Sequence, residues 1–459
     1  MLKNIFETFA NCFKIPELKS RIFYTLGLLA VCRVLAYIPV PGVDGGQLTS
    51  WMERQHGAGG GLTAMYSMFT GGALEKCAVG ALGIMPYISA TIILQLLGAV
   101  IPQLSKLMRE EGGRAKIIQY GRYLTVLLCL GWGTATAVTW EHPQNVWSGF
   151  PGQLVTAENV WWYRIQTIVV LTTGTMLLMW LGEQITERGI GNGVSLVITV
   201  GIVARLPQAG QALIDMFTPG KGIEAKFNYF QGIALILLLV AVVAGVISLT
   251  QAQRKIPVQY AQRAVGRKVY QGGSSFMPLR VNYSGVMPII FAQSILMFPE
   301  RVFSQLGASY KPLKFLADLA GHLREGALVY MIVYGLLILF FSYFWVATQF
   351  NELQIADDLK KYGGYVPGVR PGTATSDFLH NAMSRITLAG AIFLTVIALI
   401  PIMLNREMQI PWQVGQFFGG TSMLITVGVM LDTMRQMESH LLMRHYDGFM
   451  KKGRLKGRF

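Results

Sequence analysis

Ten stretches of this chain are long and apolar enough to cross a lipid bilayer, which takes ~20 residues of helix. They lie at roughly 22–38, 76–100, 117–139, 163–181, 191–207, 229–249, 284–300, 327–347, 385–404 and 412–434. The bilayer interior offers no water to backbone polar groups. Each stretch must therefore satisfy its own hydrogen bonds, which a helix does without a partner. The expected fold is an all-α membrane protein with ten transmembrane helices. Only 14% of residues are charged, so no sizeable soluble domain remains between the spans. Lys14, Lys19 and Arg21 precede the first span and no A-x-A-like site follows an apolar core, so no cleavable leader is expected.

The net charge of +15 is unevenly placed. Basic residues gather in the amino terminus, in 101–122, in 250–283, in 348–385 and in the tail after Arg435. The alternating connections carry Gly, Trp and Pro instead. The positive-inside rule puts the basic set, and with it both termini, in the cytoplasm, as an even number of spans requires. Residues 1–21 are then expected to form an amphipathic cytoplasmic segment, either a short helix lying on the membrane face or a solvated tail, and 435–459 a basic cytoplasmic tail. The loop 250–283 contains Arg254, Lys255, Arg263, Arg267, Lys268 and Arg280 and no acid. It either enforces topology or docks a negatively charged partner, and its length favours docking. Its stretch VYQGGSSFMPLRVN has turn residues, Gly272 and Gly273, between β-favouring ones, and predicts a hairpin there. In the second long loop two prolines bracket Arg370 and stiffen the turn.

The second span is built badly for a simple anchor. GGALEKCAVGALGIMPYISATIILQLL, from Gly71 to Leu97, places Pro86 inside it and brings Gly80, Gly83, Ser89 and Thr91 to bilayer depth. Such residues persist where protein or a water-filled cavity satisfies the freed backbone. Ahead of it, LTAMYSMF repeats Leu62, Met65, Tyr66 and Phe69 at helical spacing, between a Gly-rich loop and Gly71–Gly72. It is too short to span, and either re-enters the membrane or lies at the interface. Ile84 and Ile88 are four apart, as are Val194 and Ile198. The seventh span repeats the interrupted pattern with Gly285, Pro288 and Ile290. Interrupted spans at matching places point to the working site of an internally duplicated membrane protein.

Catalytic readings fail. No phosphate loop, HExxH or GxSxG motif is present, and Cys12, Cys32, Cys77 and Cys129 have no metal spacing. Asp432 is a lone late-span acid. No catalytic residue, metal or cofactor is expected. A small-solute carrier would need intramembrane charges, which the spans nearly lack. Arg33, the main exception, is within reach of the outer interface and able to snorkel.

The same strings identify a family. The Gly71–Leu97 stretch, WLGEQITERGIGNGVSLVI, RKVYQGGSSFMPLRVNYSGVMPIIFAQSILMFP, LKKYGGYVPGVRPG and FFGGTSMLITVGVMLDTM resemble, in order, the SecY family of protein-secretion channels. The resemblance implies two inverted halves, 22–207 and 208–434, around an hourglass pore in a bacterial inner membrane. It implies a waist ring of Ile84, Ile88, Val194, Ile198, Ile290 and Ile425. It also implies a plug over 62–72, comprising Leu62, Met65, Tyr66, Met68, Phe69, Gly71 and Gly72. Ser89, Asn282 and Phe298 fall at lateral-gate positions. Arg254, Lys255, Arg263, Arg267, Lys268 and Arg370 fall on surfaces for the ribosome and the motor SecA. Further implied partners are SecE, SecG, preproteins and their signal sequences, membrane lipids, and accessory SecDF and YidC. The sequence departs from the family's pattern at Val194, smaller than the usual isoleucine, and at Thr250, where an acid is common.

Overall fold

The computed structural model describes residues 15–54, 67, 69–110, 112–145, 150, 152–217, 229–260, 263–265, 268–270, 273–309, 314–323, 327–408, 414 and 421–452. Each of the ten apolar stretches holds one principal helix. These are α1 (Pro16–Leu35), α3 (Met85–Val100), α5 (Gly113–Glu141), α6 (Val160–Arg188) and α7 (Gly193–Val203), followed by α9 (Tyr229–Gln251), α10 (Met287–Ser309), α12 (Leu328–Gln349), α14 (Thr373–Met408) and α15 (Thr421–Lys452). Shorter helices connect them: α2 (Gly45–Arg54), α4 (Pro102–Arg109), α8 (Leu206–Phe217), α11 (Lys314–His322) and α13 (Glu352–Lys361). Among the described residues, six helices meet the length and hydropathy needed to cross a membrane, and α3 and α10 contribute shorter apolar segments.

Local chemistry sets the helix starts. Pro16 begins α1, where its missing N–H costs nothing. The Asn159 side chain accepts from the amides of Trp161 and Trp162 at the start of α6. Asn192 does the same for Ser195 at the start of α7.

Helix pairings repeat along the chain. In the first set α1 packs on α6 and α7, α3 on α5, and α5 on α6. In the second, α9 packs on α14 and α15, α10 on α12, and α12 on α14. The two sets meet where α3 touches α10 and where α7 touches α15. One apolar core runs through both sets.

The two long basic loops are one unit. Strand β1 (Gln253–Tyr260) pairs antiparallel with β4 (Ser274–Arg280), register Gln253↔Arg280 to Gln259↔Ser274. Its other edge takes β5 (Gly364–Tyr365) from the second loop, through Gln259↔Tyr365 and Tyr260↔Gly364. Ile256 and Leu279 from the sheet pack with Phe350, Val366 and Leu379 in a separate small core. Inside the loop, β2 (Arg263–Val265) pairs with β3 (Lys268–Tyr270). The expected hairpin thus takes a nested form. Gly273 does not turn β3 back onto β4; it carries the chain from the inner pair to the outer one.

Candidate functional site

The irregular second span owes its shape to hydrogen bonds with α1. Residues 71–84 are not helix but a succession of turns, with positive φ at Gly71, Gly72, Cys77 and Gly83. Their backbone is satisfied by the end of α1 and the chain beyond it. Val79 N donates to Ile38 O (2.8 Å), Gly80 N to Leu35 O (3.1 Å), and Cys77 O accepts from Val40 N (2.9 Å). Pro86 therefore does not interrupt a helix, as the sequence reading had it. It occupies the first turn of α3, where no intrahelical donor is lost.

α10 is built in the same way. GIMPYI at 83–88 and GVMPII at 285–290 share glycine, methionine, proline and isoleucine at the same spacing. Gly83 has φ +59° and Gly285 φ +62°, and the helices begin at Met85 and Met287. Ile88 N donates to Ile84 O (3.2 Å), and Ile290 N to Val286 O (3.3 Å). Both turns deliver an isoleucine into the core at the inner end of a helix.

The six candidate waist residues all belong to the apolar core that runs through both sets of helices. Ile84, Ile88, Ile198, Ile290 and Ile425, each at most 5% exposed, lie in one apolar cluster, and half-buried Val194 packs against it. Four helices supply them: α3 with its N-cap, α7, α10 and α15. α7 reaches the cluster because Gly193 lies against Gly182 of α6; a Cβ on Gly193 would stand 1.9 Å from the Gly182 carbonyl oxygen. Val286 was not singled out from the sequence, although the six-residue repeat pairs it with Ile84; it is 5% exposed in the same cluster.

Of the candidate plug residues, Leu62, Met65, Tyr66 and Met68 lie outside the described residues. Phe69 is helical, buried and part of the same cluster as the waist. A cavity of about 30 Å³, room for about one water, is lined by Phe69, Thr70, Ile84, Arg33 and Val197 among others. Arg33 is half-buried and has partners in the protein. Its Nη1 donates to Gly71 O at 3.1 Å, and its guanidinium lies over the Tyr37 ring, 5.5 Å from the centroid. Lys76 Nζ also lies over that ring, 3.5 Å from the centroid.

Of the candidate gate residues, Ser89 is half-buried on α3. Asn282 lies in the turn before α10, where Nδ2 donates to Gly285 O (2.9 Å) and Oδ1 accepts from Ser284 Oγ (3.1 Å). Its amide thus holds the positive-φ turn that starts α10. Phe298 is in α10; its side chain lies outside the described residues. Two mid-span amides that the sequence reading passed over, Gln95 on α3 and Gln293 on α10, keep Oε1 buried with no partner among the described residues.

On the joined loops, Arg254 and Lys255 are exposed on β1. Arg263 and Lys268 belong to β2 and β3, and Arg267 lies outside the described residues. Arg370 is exposed, and its carbonyl accepts from Thr375 Oγ1 (2.9 Å), tying the turn to α14. At the departing position 250, the Thr250 carbonyl accepts from Arg435 of α15.

A model of the SecY family matches residues 78–434. Protein translocase subunit SecY of Chlamydia muridarum is 41% identical over 457 residues, 98% of this chain and 99% of that one. The Escherichia coli K12 subunit is 41% identical over 444 residues, 96% of each. Among solved structures, a protein-conducting channel aligns with a TM-score of 0.61 at 18% identity, over 92% of each chain. Sec61 in a canine ribosome–channel complex aligns with a TM-score of 0.58 at 18% identity, again over 92% of each.

Proposed function

The chain belongs to the SecY family, and from that premise we propose that it is a protein-conducting channel subunit with its waist at Ile84, Ile88, Val194, Ile198, Ile290 and Ile425. It is a multi-pass membrane protein, and its work is conduction rather than catalysis. The observation that supports the waist is burial: residues from both sets of helices, far apart in sequence, contribute branched aliphatic side chains to one shared apolar core. A constriction of branched aliphatic side chains expels water when empty and so blocks ions. It admits polypeptides of any sequence because its contacts are non-directional.

The rest of the mechanism follows the helix seams. The segment 62–72 stoppers one side of the waist, with Phe69 already in the cluster and Gly71–Gly72 as its hinge. α3 and α10 touch, and Ser89, Asn282 and Phe298 are read as the residues of that seam. Parting them would open the waist sideways, and an apolar signal sequence or transmembrane segment would leave through the gap because burial in lipid is favourable. The division into halves falls between 207 and 208. The basic loops with Arg254, Lys255, Arg263, Arg267, Lys268 and Arg370 dock the ribosome or SecA. One of the structural relatives is a channel in a ribosome complex. SecE, SecG, SecDF and YidC complete the assembly, in a bacterial inner membrane with both termini cytoplasmic.

Reconstitution with SecE, SecG and SecA tests this. ATP-dependent movement of a preprotein into vesicles is expected. Saturable uptake of a small solute without any partner protein, and no preprotein movement, would refute it.

A further inference from the structure

The hinge at Gly71–Gly72 lies beneath two arginines from different parts of the fold. Arg33 comes from the last turn of α1, and Arg205 from the junction of α7 and α8. A Cβ on Gly71 would stand 2.2 Å from Arg33 Nη1, and one on Gly72 would stand 3.2 Å from Arg205 Nη2. Both glycines have positive φ, +63° and +89°. The hinge is thus a backbone that only glycine adopts easily, roofed by guanidinium groups.

Arg205 is held by an acid. Its Nη2 lies 2.7 Å from Glu75 Oε2, and the two side chains are only 11% and 17% exposed. Ser67 closes a triangle: its hydroxyl accepts from Arg205 and donates to Glu75 Oε1 at 2.6 Å. Glu75 belongs to the fixed wall, since its carbonyl accepts from Thr49 Oγ1 (3.1 Å) on α2. Ser67 and Gly71 belong to the segment that would move. Ser67 O is bound in turn by Gly72 N (2.8 Å), so hydroxyl and hinge move together.

We propose that Arg205, Glu75 and Ser67, with Arg33 on the Gly71 carbonyl, form a clasp that positions the plug in its shut state. This rests on the reading of 62–72 as a plug. Displacing the segment parts Ser67 from a buried ion pair and strips Gly71 O of its donor. Removing one member of a buried pair is costly because the other charge is left without a partner. The clasp therefore sets how strongly a signal sequence must compete before the channel opens.

The test uses the full chain reconstituted in liposomes, reading ion efflux through the resting channel and translocation of a preprotein with a weakened signal sequence. Arg205→Gln and Glu75→Gln each raise leak roughly tenfold or more and admit the weakened substrate. The double substitution is no leakier than the worse single one, because both remove one interaction. Arg205→Lys keeps a charge opposite Glu75 and stays within roughly threefold of the parent. Ser67→Ala, a small change that leaves the ion pair intact, raises leak less than either Gln variant. It decides the matter if Arg205→Gln fails to assemble: no rise with Ser67→Ala or Glu75→Gln would then overturn the clasp. A variant lacking residues 62–70 separates the two readings. If that deletion leaks while Arg205→Gln and Glu75→Gln do not, the clasp is wrong and the plug stands. If the deletion does not leak, the plug reading falls and the clasp with it. Single effects that multiply in the double variant also overturn the clasp.

Discussion

Replacing Ile425 with asparagine puts the waist to a quantitative test. Ile425 is fully buried in the cluster shared with Ile84, Ile88, Ile198 and Ile290. Burial of an isoleucine side chain stabilises the shut arrangement by about 1.5–3 kcal/mol. An amide placed there without a partner costs about 1–3 kcal/mol more. Wetting the constriction relieves both terms, since water then solvates the amide. The low end of the two together is about 2.5 kcal/mol, or roughly a 60-fold rise in the wetted state at 1.4 kcal/mol per decade. Ile425→Leu conserves volume and polarity, costs under about 1.5 kcal/mol, and should raise wetting by no more than roughly tenfold. Conductance of the resting channel in planar bilayers reads the ratio directly. The thermal midpoint in detergent shows that both variants are folded. A folded Ile425→Asn channel whose conductance stays within about twofold of the parent would refute the assignment of Ile425 to a dry seal.

Other outcomes follow from the same geometry. Gly83→Ala and Gly285→Ala both force a side chain into positive φ, each costing about 1–2 kcal/mol. Gly83→Ala should cost more, because its Cβ would stand 3.0 Å from Thr70 Cγ2 while the nearest atom at Gly285 is 3.6 Å away; melting curves in detergent rank the two. Gly364→Val should loosen β5 from β1, since even a Cβ at Gly364 lies 3.0 Å from Tyr260 Cε1. Faster amide exchange at Gln259 and Tyr260, with that of the spanning helices unchanged, is the expected signature. Reversing charge at Arg254, Lys255 and Arg370 together should weaken ribosome or SecA binding, most at low salt where screening is least. Equal binding at low ionic strength would return the loops to a purely topological role.

Much of the architecture is legible in composition. Apolar length located every principal helix, because transfer of a long apolar stretch out of water depends on the stretch and not on its neighbours. Basic loops stood out for the same reason. The waist residues were named through family strings, and the local repeat of Gly-x-Met-Pro-x-Ile at 83–88 and 285–290 would have added Val286. What hydropathy could not supply was partnership. A window over 76–100 counts apolar atoms and cannot distinguish a helix from the turns at 71–84, whose backbone is satisfied by Leu35 and Ile38. Nor could it tell that Arg33 binds the Gly71 carbonyl. The junction of two loops about a hundred residues apart, through Gln259↔Tyr365, is equally invisible along the chain. Sequence alone determined which segments leave water, since that is a property of the residues themselves. Tertiary structure decided which polar groups meet inside, since a hydrogen bond needs its partner in place. In this chain that choice fixes where α3 begins, what the Gly71–Gly72 turn leans on, and which side chains share the apolar core.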